Sequence, residues 1–538
     1  MQTPITPKII ARIALGLIIV SFCFRLHLLF VRYIDPDEME YLHAAYCVRS
    51  GMVPYRDFFQ HHAPLYYYLL GAVYAGGISP AAIFLGRTTS LLFTLLILAL
   101  TYRLAERLGD RTAAWVATVW LSFNFVFLWR TVEIRPDLPA LFFYLIGLNL
   151  LLDGMARAGK NRAFWAGAAL GLAALCTQKI LFPLLGMMAG LLFFLTAETG
   201  NTPSSRPAHA PLVLSFLGGL LLPPLLCALY FLARGALPDL IRCSLFSPLD
   251  WKRKDPPFHL KTLVFYNPYF SFWGAVGLIE SLSRSFRKDS HQEAVAAFSA
   301  LTALLGSWLI PVSLPQYYLF FIPLLAVFGS SALVRFMKYL FIAPLLRRAA
   351  GGILILLPGF LIPALLHHLG YRFELPIGGF YSGLALTACL GAVGFGLLLK
   401  KRKAWRRWAP FFLAFAILAR PALALGLYHR SDNRQYLDAL RYLMGLTGSE
   451  EKVMDGWTGL GVFRPHAYYY YYLHEGVLSW LGEEEKGEDL LAALRENPPA
   501  LVIAGPYLDR LSPAVRDYIG ANYRPVSPGH PFLVRAGK

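Results

Sequence analysis

The sequence predicts a polytopic α-helical membrane protein of about thirteen transmembrane helices, with a small α/β domain outside the membrane at its C-terminal end. Three observations carry this. Of 538 residues, 57% are hydrophobic and only 15% charged, with a mean hydropathy of +0.50, which excludes an ordinary water-soluble enzyme. About half the chain falls into apolar stretches of roughly 17–25 residues, the length of helix that crosses a bilayer's hydrocarbon. Lys and Arg total 50 against 32 Asp and Glu, a formal charge of +18, yet the excess gathers in the loops of one face. It is densest at Lys400, Lys401, Arg402, Lys403, Arg406 and Arg407. This is the positive-inside pattern rather than a nucleic-acid surface, and it puts the N-terminus in the cytoplasm.

The first apolar run, 9–30, is long for a signal peptide and is followed by no small-residue cleavage site, so it reads as the first span. Further spans are expected at 81–102, 112–129, 137–152, 163–178, 180–196, 211–233, 262–282, 292–311, 316–334, 349–367, 377–399 and 409–428. Three outer segments exceed simple turns: 31–80, 234–261 and everything after 428. The first reads as an amphipathic helix at 38–48, a Gly-Pro break at 51–54 and an aromatic stretch at 65–74 lying in the headgroup zone. The last reads as helices at 433–444, 488–496 and 513–521 with strands near 452–455, 501–504 and 524–526. The chain thus divides into a membrane domain, 1–428, and an outer α/β domain, 429–538. Six cysteines scattered singly offer no disulfide framework or CxxC site. No internal repeat is visible, which speaks against a two-halved transporter, and no phosphate loop is present to drive one with nucleotide.

Chemistry concentrates in the first outer segment. Asp35-Pro36-Asp37-Glu38-Met39-Glu40-Tyr41 places four carboxylates just beyond a span, where a helix N-terminus alone would also favour acids. It is followed by His61-His62-Ala63-Pro64-Leu65-Tyr66, so acid, histidine and aromatic side chains share one membrane-level region. His61 and His62 are adjacent and cannot form the one-face i, i+4 metal pair of a helix. Lys179 stands alone between two apolar spans near the outer surface, where a cation is costly and either serves a function or snorkels to lipid phosphate. Arg130 and Arg135 sit beside Glu133 and Asp137, with which they can simply pair, and Arg87, inside the second span, reads as structural. Five consecutive tyrosines, Tyr468 to Tyr472, cannot all face one sugar and read as a packing or interfacial surface.

These motifs resemble the GT-C membrane glycosyltransferases, specifically the branch of protein O-mannosyltransferases and lipid A aminoarabinose transferases. The resemblance rests on Asp37-Glu38 with Tyr41, Gly51-Met52-Val53-Pro54-Tyr55, Ala63-Pro64-Leu65-Tyr66-Tyr67, Arg135-Pro136-Asp137, Thr177-Gln178-Lys179 and Gln316-Tyr317-Tyr318. Two positions depart from the aminoarabinose transferases: Glu40 stands where Arg is typical, and His62-Ala63 replaces a basic residue and a proline. The resemblance implies an inverting transfer of a hexosyl or pentosyl group from a polyprenyl-phosphate donor. It also makes Asp137 a second functional carboxylate and puts Tyr317 and Tyr318 at the pocket.

Such a transfer needs a base for the acceptor hydroxyl and cations for the departing phosphate, which leaves without a general acid. Asp37 is the expected base, with Glu38 orienting the acceptor or a metal and Asp137 completing the catalytic carboxylates. Lys179, Arg135, Arg130 and His62 are the expected phosphate ligands. Asp35, Tyr41, His61, Tyr66, Tyr317 and Tyr318 are expected to line the pocket. The sequence identifies no cofactor, and a divalent cation on the carboxylates stays open. The expected partners are a polyprenyl-linked sugar and a glycan, lipid or protein hydroxyl, met at the outer face of the cytoplasmic membrane. The rival reading is a transporter or flippase of a lipid-linked saccharide, which requires ionisable groups near mid-bilayer in several spans.

Overall fold

The computed structural model describes residues 7–157, 159–199, 206–247, 257–286, 291–310, 314–368, 377–399, 418 and 432–537. The membrane helix α1 (Pro7–Val31) leads into an outer segment holding α2 (Pro36–Arg49) and α3 (Leu65–Leu70). The chain then descends through α4 (Ala81–Leu108), α5 (Arg111–Phe123), α6 (Phe125–Arg130), α7 (Asp137–Arg157), α8 (Lys160–Ala174), α9 (Leu181–Thr199) and α10 (Arg206–Ala233). A short α11 (Leu237–Ile241) precedes α12 (Pro257–Tyr266), α13 (Pro268–Ser285), α14 (His291–Leu309), α15 (Ile322–Ile342), α16 (Leu345–Leu356), α17 (Pro358–His368) and α18 (Ile377–Leu399). This is a multi-pass membrane protein. Among the described residues seven helical segments are long and apolar enough to cross a bilayer: Lys8–Val31, Ala81–Leu108, Asp137–Arg157, Gln178–Thr196, Ala210–Ala233, Ile322–Leu340 and Leu345–Leu366.

Two predicted spans are broken by asparagine. The stretch 112–129 stops at Asn124, whose backbone turns extended (φ −60°, ψ 127°) while its side chain caps α6 by accepting from Phe127 N at 3.1 Å. The stretch 262–282 is interrupted at Asn267, followed by Pro268. The predicted span 409–428, apart from residue 418, and the basic cluster from Lys400 to Arg407 lie outside the described residues. Helices α8 and α10 pack closely because glycine lines their crossing. A Cβ on Gly167 would stand 2.0 Å from Phe216 O, and one on Gly219 would stand 1.9 Å from Phe164 O.

The outer segment departs from its expectation. Helix α2 is not amphipathic: every residue from Glu38 to Cys47 is buried. Its second face is covered by the C-terminal domain, which consists of α19 (Arg434–Leu446), α20 (Glu475–Trp480), α21 (Leu490–Glu496), α22 (Pro513–Asn522) and a four-stranded sheet. Strands β1 (Val453–Met454), β2 (Leu501–Ile503), β3 (Tyr523–Pro525) and β4 (Phe532–Arg535) run in the order β1-β2-β4-β3, parallel between β1 and β2 and antiparallel elsewhere. Sequence reading omitted β4, the strand that joins β2 to β3, and α20. One apolar core runs from Leu42, Phe58 and Tyr67 to Leu440, Phe463, Tyr471 and Leu501, crossing from the outer segment into the sheet domain. The tyrosine run belongs to this contact: Tyr469 O accepts from Phe59 N at 3.0 Å, and Tyr469 donates its hydroxyl to Tyr55 O at 2.6 Å. Asn433 fastens the same domain to the end of α1, donating to Phe30 O and Arg32 O at 2.8 Å and accepting from Ile34 N at 3.1 Å.

Candidate active site

Asp35 caps α2 by accepting from Asp37 N at 3.1 Å, while Glu38 reaches back to accept from Asp35 N at 3.1 Å. This capping box fixes the first turn, so the adjacent carboxylates Asp37 and Glu38 project in different directions. Glu38 is fully buried. It receives Arg87 on both oxygens, at 2.9 and 2.6 Å, and Ile134 N at 3.1 Å, with Arg32 3.7 Å away. Arg87 also donates to Leu29 O, Arg32 O and Tyr33 O, tying α1, α2 and α4 into one joint. The structural role expected of Arg87 is thus visible, and its partner is Glu38.

Asp37 turns the other way. About 32% of its side chain is exposed, and Arg135, only 2% exposed, donates to Oδ2 at 3.1 and 3.3 Å. Burial pushes the Asp37 carboxyl up to about 6 against the pull of Arg135. Behind Arg135 lies Glu133, fully buried, 2.9 Å from Arg135, 2.7 Å from Arg130 and paired with Arg32. Arg130 is 3.9 Å from Asp35, and its Nε is buried without a hydrogen-bond partner among the described residues. At the start of α7, Asp137 accepts from Lys179 Nζ at 2.8 Å, and the ammonium lies 4.0 Å from the centre of the Tyr317 ring. Asp137 is only 1% exposed whereas Lys179 is 13% exposed, so the cation is the more accessible partner of the pair.

These groups form one site. Lys179 lies within Coulombic reach of both Arg135 and Asp37, and His62 is influenced by Lys179 and Arg135 together. Tyr41 and His62 are hydrogen-bonded at 3.2 Å, with Tyr66 edge-on to Tyr41 at 5.9 Å. Burial, with Lys179 nearby, holds His62 well below the usual imidazole range, so it is neutral. His61 stacks near His62 at 4.1 Å and lies 3.7 Å from Glu40; burial lowers it likewise. Burial and the neighbouring Asp37 push Glu40 up to about 8, so it stays protonated at neutral pH; Gln60 donates to it at 3.0 Å. Tyr318 lies apart, fully buried in the membrane core.

No family model matches the sequence, and no curated protein matches it. Among solved structures the chain is similar to ArnT from Cupriavidus metallidurans in the apo state, at 16% identity and TM-score 0.60, covering 98% of this chain and 97% of that one. A second structure of ArnT, bound to undecaprenyl phosphate, matches at 14% identity with the same TM-score and coverage. The archaeal oligosaccharyltransferase AglB from Archaeoglobus fulgidus, in complex with an inhibitory peptide and a dolichol-phosphate, matches at 14% identity and TM-score 0.53 over 97% of this chain and 74% of that one. The fold is the GT-C fold.

Within this GT-C fold Asp37 contacts Arg135, Lys179 contacts Asp137 and Tyr317, and Tyr41 contacts His62 and Tyr66, so these side chains form neighbouring contacts of one cluster. Glu38 and Tyr318 are withdrawn from it. Five carboxylates (Asp35, Asp37, Glu38, Glu133 and Asp137) face five cations (Arg32, Arg87, Arg130, Arg135 and Lys179), a balanced set. Sequence reasoning treated Glu133 only as a neighbour of Arg130 and did not weigh Arg32. Both lie at the centre of the network, and nothing local in the sequence distinguishes a buried hub from a solvated loop charge. Of the arginines inside α1 and α4, Arg87 is spent on Glu38, and Arg25 bonds within α1 and across to Thr131, at 3.4 Å to Ser21 O and to Thr131.

Proposed function

We propose that the protein transfers a sugar from a polyprenyl-phosphate donor to a hydroxyl acceptor at the outer face of the cytoplasmic membrane. The observation that carries this is one cluster that holds both an accessible carboxylate, Asp37, steadied by Arg135, and a partly accessible cation, Lys179, steadied by the buried Asp137. Asp37 acts as base toward the acceptor hydroxyl. Lys179 and Arg135 stabilise the negative charge that develops on the departing phosphate, and Arg130 and neutral His62 are further donors at the edge of the site. Because the network is neutral before substrate arrives, a donor phosphate tips it negative and strengthens Asp37 as a proton acceptor. Asp137 and Glu38 act through the cations they hold, as positioning groups. A divalent cation would find its open carboxylate at Asp37 and Asp35, but Arg135 and Arg130 already neutralise these, so the phosphate is assigned to protein cations.

The ArnT structure bound to undecaprenyl phosphate and the AglB structure with dolichol-phosphate support a polyprenyl carrier. Residues 1–428 would then form the transferase domain, with 429–538 closing the site from outside and bearing on acceptor choice. The test is a liposome reconstitution that scores glycosidic bond formation separately from lipid translocation. Donor consumption with a new glycosidic bond is expected; translocation without transfer would establish the flippase instead.

A further inference from the structure

Six and ten residues beyond Asp37 on the same helix, His43 and Cys47 stand four apart and so share one face of α2. That face meets His466, held beside β1 by the bridge to Val453. His43 Nε2 is 3.0 Å from His466 Nδ1, and Cys47 Sγ lies 3.5 and 3.6 Å from these two nitrogens. All three side chains are secluded, His43 and Cys47 being buried outright. The other nitrogen of His43 is 3.0 Å from Val462 O, a pure acceptor, so Nδ1 carries the proton and the Nε2 lone pair points into the cluster. His466 is itself hydrogen-bonded to the backbone of Asp57. Both imidazoles therefore have the backbone partner that orients a metal-binding histidine.

We infer that His43, Cys47 and His466 bind a zinc-type d10 cation that staples the helix carrying Asp37 to the C-terminal domain. The spacings fit such an ion. With metal–sulfur about 2.3 Å and metal–nitrogen about 2.0–2.1 Å, the two N···S edges correspond to angles of about 110° and the N···N edge to about 95°, close to tetrahedral. One thiolate with two imidazoles is a donor set for zinc rather than for magnesium or calcium. Three protein ligands leave the fourth position to water. Binding converts the Cys47 thiol to thiolate and releases one proton, so affinity rises with pH.

The inference does not depend on sugar transfer, and its test needs no substrate. The full chain, purified in detergent through a tag without histidines, is expected to carry about one zinc per molecule by elemental analysis. After chelator stripping, cobalt(II) should restore a thiolate-to-cobalt charge-transfer absorption that is missing in Cys47→Ser and reduced in His466→Gln. Zinc should raise the melting temperature of the stripped wild type and leave that of Cys47→Ser unmoved. Stripped wild-type protein that takes up no stoichiometric metal, or Cys47→Ser that takes up as much as wild type, would overturn the assignment.

Discussion

Asp37 and Glu38 are joined by one peptide bond and live in different surroundings. Glu38 faces the junction of α1, α2 and α4, where both oxygens are taken by Arg87, the backbone of Ile134 and the capping box. Asp37 turns away from that junction, held by Arg135 on one oxygen and with about 32% of its side chain exposed. The contrast divides the motif: one carboxylate is locked into a buried junction, while the other keeps the accessibility that the proposed base requires. A buried pair like Glu38–Arg87 is no cheap source of stability, but removing one partner strands the other in a dry interior.

This contrast can be broken experimentally. Asp37→Asn should lower turnover by a factor on the order of 10²–10⁴ with an unchanged melting curve, since only a base is lost. Glu38→Gln or Arg87→Met should do the reverse, costing about 3–5 kcal/mol of stability and reducing the yield of folded protein in a thermal-unfolding assay. If either pair of outcomes were exchanged, the assignment of roles would be wrong. Lys179→Met should weaken binding of a polyprenyl phosphate by roughly 10–100-fold, the loss of a charge-assisted hydrogen bond, measured by titration in detergent. Tyr317→Leu, which removes only the ring over that ammonium, should cost less, about 0.5–2 kcal/mol of the same affinity. A pH effect completes the set and concerns Glu40. Its folded pKa, about 8, lies above the unfolded value, so the folded state holds the extra proton. The stability this contributes is full below about pH 4 and is lost as pH rises through about 8, and Glu40→Gln should flatten that slope in pH-dependent melts.

The sequence made the membrane class legible because apolar length and one-sided basic charge are set by the bilayer and need no tertiary knowledge. It also singled out Asp37, Lys179 and Arg135 as candidates, since charged residues beside spans are few, and all three lie in the charge network. Helix α2 was misread as amphipathic because its second partner, the C-terminal domain, lies about four hundred residues away in sequence. The breaks at Asn124 and Asn267 escaped a hydropathy reading because one polar residue barely alters the average over a span. His43 and Cys47 carried an i, i+4 signal, but the third ligand, His466, becomes meaningful only once the tyrosine run docks on the outer segment. Strand β4 escaped notice for a related reason: its four residues acquire a role only between β2 and β3.

The central claim is that Asp37 is the base, and the pH dependence of single-turnover transfer tests it most directly. At subsaturating donor, where the rate reports the free protein, the wild-type rate should climb tenfold per pH unit below about 6 and level off above it, and whatever rate Asp37→Asn retains should lack that limb. A wild-type rate that is flat across the same range, or an identical limb surviving in Asp37→Asn, would contradict it.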